Sequence, residues 1–177
     1  MKKLILVVAI SLGLTGCASV QLGSTRIEDP QVSSQLVEQK ADKKAVYIAL
    51  GQPHDVLYEN QKQQKGLSEW VYYSAKMETS GASLIPFVGL VAAGVNTETT
   101  KITYFFNAKE RLYKTKQDAF NTYTNSWSAM SQDASAKEND KKAGRVEKEM
   151  KKLGLPFDSN RAQEMVGIEI FTEEEIR

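Results

Sequence analysis

Apolar positions change their spacing several times along the chain, and each change marks a predicted element. Residues 4–12 form one apolar run interrupted only by Ser11, while residues 18–28 are mostly small or polar and follow no period. After Asp29-Pro30, Val32, Leu36 and Val37 recur at helical spacing to about Gln39, and an Asp N-cap followed by Pro suits a helix start. A second helix is predicted from Asp42, with Ala45, Val46, Ala49 and Leu50 on one stripe. Gly51 stands where a left-handed cap is wanted, and Pro53 blocks continuation. Residues 54–65 are polar and predict a loop ended by Gly66. Aromatic and β-branched runs at 69–75, 101–106 and 111–115 predict three strands, the last two joined by a tight turn at 107–110 and therefore antiparallel neighbours.

The C-terminal third is more polar. Residues 118–135 carry the isolated apolar side chains Phe120, Tyr123, Trp127 and Met130. Residues 136–153 are dense in Lys and Glu with Val146, Met150 and Leu153 on one stripe, which predicts a solvated amphipathic helix ended by Gly154 and Pro156. Asp158-Ser159 can cap one more helix through Glu164.

One segment breaks the pattern. Residues 80–97 hold no charged side chain, although a quarter of the chain is charged. They fall between two strands expected to pair, so they are expected to leave the sheet as an apolar hairpin insertion spanning residues 78–99. Twelve residues of helix cover about 18 Å against a hydrocarbon core of about 30 Å, so residues 84–95 cannot cross a bilayer. Leu84, Ile85, Phe87, Val88, Leu90 and Val91 are the expected contacts to a partner or a membrane surface.

Composition adds a location. Lys2 and Lys3, the short apolar run and the sequence Leu14-Thr15-Gly16-Cys17 have the order of a secretion signal. The last four residues resemble the bacterial lipobox. That resemblance implies a signal peptide at 1–16 and a Cys17 carrying diacylglycerol and a further acyl chain, a palmitate-type anchor in the membrane. Ala18 and Ser19 after the cysteine imply sorting to the outer membrane, facing the periplasm. Residues 17–28 are then a tether, 29–117 the domain and 118–177 a partly helical extension. Without residues 1–16, 21 basic side chains face 22 acidic ones, so no field exists to attract nucleic acid.

Candidate chemistry is sparse. Cys17 is the only thiol and His54 the only histidine, so neither a disulfide nor a typical zinc site can be assembled, and no metal or cofactor is expected. His54 is expected on a surface loop. Ser68 and Ser74 lack a nucleophile elbow, Gly81, Gly89 and Gly94 lack the Lys-Ser/Thr of a phosphate loop, and no carboxylate sits in an apolar run that would raise its pKa. Catalysis is therefore not expected. Trp70, Tyr72, Tyr104 and Phe106 offer an aromatic binding face or, as is expected of at least one face, core packing between sheet and helices.

The order of these elements carries a family resemblance. Two helices, the second ending in Ala49-Leu50-Gly51-Gln52-Pro53, then Trp70-Val71-Tyr72, Thr103-Tyr104-Phe105-Phe106, a turn and Leu112 resemble the SmpA/OmlA (BamE-like) outer-membrane lipoprotein domain over about residues 30–116. The resemblance implies an α+β fold with two short helices packed on a three-stranded antiparallel sheet. It also implies a non-catalytic scaffold or accessory subunit that binds an envelope protein in outer-membrane assembly or integrity. A second role stands beside it: a membrane-active or self-associating lipoprotein whose insertion at 80–97 contacts the bilayer.

Overall fold

A computed structural model of the chain describes residues 19–60, 62, 65–79, 94–125 and 133–163. The architecture is α+β. Strands β1 (Ser19–Gly23), β2 (Asp55–Asn60), β3 (Lys65–Thr79), β4 (Gly94–Phe106) and β5 (Leu112–Asn125) form one antiparallel sheet. The order is β1-β3-β4-β5, and β2 lies beside β3 on the same side as β1. β2 pairs with the first half of β3, and β1 with the second, so the two short strands share one column. Helices α1 (Pro30–Glu38), α2 (Lys43–Leu50), α3 (Asp133–Leu153) and α4 (Ser159–Gln163) complete the fold.

Local signals set α1 and α2. The Asp29 carboxylate accepts from Gln31 N at 2.9 Å with Pro30 in the first turn, and Asp42 accepts from Ala45 N at 2.9 Å. α1 ends in a paired-bond cap, with Ala41 N donating to Leu36 O at 2.9 Å and Lys40 N to Val37 O at 3.0 Å. That geometry puts Lys40 at φ 47, a left-handed residue without the freedom of glycine. α2 ends at Gly51, φ 82, where an added Cβ would come within 2.9 Å of Arg161 Nη1.

The helices bury their stripes on one face of the sheet. Leu36, Val46 and Leu50 meet Trp70 and Tyr72 of β3 and Ile102, Tyr104 and Phe106 of β4, with Val146 and Met150 of α3 in the same core. Trp70 stands 5.3 Å from Phe106, and Tyr72 meets Tyr104 edge-on at 5.4 Å, so of their two uses these four aromatics take core packing. β3 also buries Val71, Tyr73 and Ala75, which point the other way. A central strand buried on both faces explains the unbroken run Trp70-Val71-Tyr72-Tyr73.

Several expectations need correction. The sheet has five strands and not three. β2 occupies what reads as a polar loop, because Val56 and Tyr58 alternate inward while the charges beyond them mask the period. β1 and a 3-10 turn at Thr25–Glu28, with Ile27 buried, replace the expected tether over 19–28. β5 runs on to Asn125 instead of stopping near 115, and β3 and β4 take up residues 78–79 and 94–99 of the expected insertion.

A candidate functional site around Lys43, Tyr58 and Glu149

The densest chemistry lies where α2, β2 and α3 meet. Lys43, the first residue of α2, is 1% exposed, and Glu149 of α3 is fully buried. Lys43 Nζ donates to Glu149 Oε1 at 2.6 Å and to Tyr58 Oη at 3.1 Å. Tyr58 Oη donates to Glu149 Oε2, and Trp70 Nε1 reaches Glu149 Oε1 at 3.4 Å. Nearer the surface, Lys152 Nζ donates to Glu110 Oε1 at 2.6 Å and to Tyr58 Oη at 3.3 Å. The Lys43 ammonium also lies over the rings of Tyr58, Phe106 and Trp70 at 4.9, 5.6 and 5.9 Å.

Burial pushes the Lys43 ammonium below its usual pKa, against the Glu149 carboxylate, which holds it up. Burial and the hydrogen bond to Glu149 push the Tyr58 phenol above its usual value. At Glu110 burial acts upward, but Lys152 and Lys43 outweigh it and hold the carboxyl low. A half-open cleft of about 310 Å³ reaches this cluster, lined by Lys43, Tyr58, Ser68, Glu110 and Lys152. Its two cations, Lys43 and Lys152, answer Glu110 in the cleft wall and Glu149 behind it, and Lys43 donates inward to groups of the same core. The arrangement clamps α3 onto α2 and β2.

A second hub surrounds the Leu50-Gly51-Gln52-Pro53-His54 junction. Arg26 Nη1 donates to Ala49 O at 3.1 Å, Arg161 Nη2 to Leu50 O at 3.1 Å and Tyr72 Oη to Gly51 O at 3.0 Å, which satisfies the last two carbonyls of α2 and that of its cap. Gln52 bonds the backbone of Asp158 twice, at 2.7 and 2.9 Å. His54 is buried, not on a surface loop, because Gly51 and Pro53 turn the chain inward to start β2. Its Nδ1 accepts from Tyr73 N at 3.1 Å, which leaves the ring proton on Nε2. Burial, with the Arg161 guanidinium nearby, pushes its pKa down to about 3. With Nδ1 already occupied, this imidazole is a structural acceptor and not a general base.

Comparison with protein-family models, curated proteins and solved structures returns no match. Cys17 and the insertion residues Leu84, Ile85, Phe87, Val88, Leu90 and Val91 lie outside the described residues. Among the described residues no group of His, Cys, Asp and Glu could hold a metal, and no helix is long and apolar enough to cross a membrane. Sequence reasoning missed Lys43 and Glu149. Glu149 follows Val146 by three residues and precedes Met150 and Leu153, so it falls beside the apolar stripe of α3. That position was the available signal.

Proposed function

We propose that the chain is a lipid-anchored envelope protein acting as a non-catalytic protein-binding scaffold or accessory subunit in outer-membrane assembly or integrity. The lipobox-like Leu14-Thr15-Gly16-Cys17 supports the anchor, and the SmpA/OmlA (BamE-like) resemblance supports the role. The observation that carries the scaffold reading is the open side of β5. Leu112 N donates to Ala41 O at 2.8 Å, and beyond it, among the described residues, residues 113–125 pair with β4 alone. An edge of that length presents a row of backbone donors and acceptors to another strand. Lys43, Tyr58, Glu149 and Lys152, by contrast, are held by one another or by Glu110.

The test is photo-crosslinking in intact cells. A photoreactive residue at Thr115 should trap a defined protein, whereas one at Ile48, which is 77% exposed on α2, should not. Equal, diffuse labelling from both positions would sink the scaffold reading. Loss of membrane association in a Cys17→Ser chain tests the anchor separately.

A further inference from the structure

We propose that the β5 edge pairs antiparallel with the β5 edge of a second copy of this chain, in the register that sets Gln117 opposite Gln117. This deepens the scaffold reading by naming the occupant of its edge, and it rests on that reading for the use of the edge.

The charges on β5 select both the partner and the register. Lys114, Lys116 and Asp118 alternate along one face of the strand, and Lys116 and Asp118 already form an ion pair at 3.0 Å with Lys116 60% exposed. Lysines on an edge discourage pairing with an uncharged or basic strand. A second β5 run in the opposite direction is different, because it brings an acid to each base. Centred on Gln117, Lys116 faces Asp118 of the other copy twice over, and Lys114 faces the Phe120 ring. Lys114 already sits over an aromatic ring in its own sheet, 5.4 Å from the centre of Phe105. Directly opposed unlike charges stabilise a strand pair, and like charges destabilise it.

Neighbouring registers are worse. Centred on Lys116 the pairing opposes two lysines, and centred on Asp118 it opposes two aspartates. Centred on Thr115 it sets Lys114 against Lys116. A register centred between residues would turn the second copy over, because adjacent residues of one strand point to opposite faces. Centring on a residue keeps the helices of both copies on the same face, so the two sheets continue as one. Along the strand Tyr113, Lys114, Lys116, Gln117, Ala119 and Asn121 are exposed.

Disulfide trapping of the full chain in detergent micelles reads the register directly. At the point of two-fold symmetry the two Cα atoms lie about 4.5 to 5.5 Å apart, within disulfide reach. Gln117→Cys should therefore form a covalent dimer under mild oxidation. Lys109→Cys, equally accessible at the hairpin turn, should stay at the level of the parent chain. A charge exchange supplies the second arm. Lys116→Asp alone should weaken dimerisation about tenfold by opposing carboxylates, and adding Asp118→Lys should restore it. Monomeric Gln117→Cys, or equal trapping at both positions, overturns the inference. If Thr115 instead crosslinks to a different envelope protein, the inference fails while the scaffold reading stands. If neither a dimer nor another adduct forms, both fall.

Discussion

Lys43 and Glu149 are each surrounded by the core, and removing two ions from water costs several kcal/mol per ion unless their pairing and hydrogen bonds offset it. The contacts of Lys43 with Glu149 and Tyr58, and of Glu149 with Tyr58 and Trp70, supply that offset. Lys43→Met alone strands the carboxylate and is expected to destabilise the fold by about 3 to 5 kcal/mol in urea unfolding. The double change Lys43→Met with Glu149→Leu should recover most of the loss, since matched apolar groups replace the pair. A single-variant loss near zero would contradict a structural clamp. His54 makes a prediction in pH. Its ordinary pKa of 6.5 applies in the unfolded chain, while the folded value is pushed down to about 3. Unfolded chains therefore take up a proton that the folded protein refuses. Stability from this group is complete above pH 6.5 and declines as pH falls toward 3, by about 1.4 kcal/mol per pH unit at full slope. His54 is the only histidine, so a fall in melting temperature between pH 6.5 and 5 should flatten in His54→Asn, which keeps an acceptor for Tyr73 N without titrating.

Helices α1 and α2 were legible because their signals are local: the Asp29 and Asp42 caps, the apolar stripes and the Gly51 stop act within a few residues of where they are written. Strands carry less. β2 is specified by pairing Val56 against Trp70 and Tyr58 against Ser68, partners in another strand that no local period reveals. The same holds for β1, whose register runs from Ser19 opposite Glu78 to Gly23 opposite Ser74. Glu149 was hard to read for another reason: in a Lys- and Glu-rich helix only its place beside the apolar stripe marks it, and the groups that hold it, Lys43, Tyr58 and Trp70, lie in other elements. Lys40 shows an element end held against its own preference. It occupies the left-handed position at the end of α1, a conformation that costs an ordinary residue about 1 to 2 kcal/mol and glycine almost nothing. Allowing for the larger entropy of glycine in the unfolded chain, Lys40→Gly should stabilise the protein by up to about 1 kcal/mol. A loss of stability in thermal melts would mean that the Lys40 side chain contributes more than its backbone strain removes.

At the scale of the molecule, α3 belongs to the core. Val146 and Met150 are fully buried, Arg145 grips Asp55 of β2 through two bonds of 2.9 Å, and Lys152 reaches Glu110 beside the β4–β5 turn. Past the helix, Gly154 at φ 67 closes a cap in which Leu155 N donates to Met150 O at 2.9 Å, and Gln52 then holds the chain at Asp158. An extension that merely coated the surface would unfold without disturbing the sheet. Contacts this deep couple the two instead. Met150→Ala, which removes a buried side chain and leaves a cavity, is expected to cost about 2 to 5 kcal/mol against a total of about 5 to 15. Because α3 shares its core with Trp70 and Phe106, the loss should appear in one cooperative transition. In a Trp127→Phe background, which leaves Trp70 as the single tryptophan, fluorescence reports on the sheet, and far-ultraviolet circular dichroism reports largely on the helices. Coincident midpoints, both shifted, are expected. A fluorescence midpoint left in place while helical signal melts earlier would show that α3 is a separate layer and that the sheet with α1 and α2 holds its stability alone.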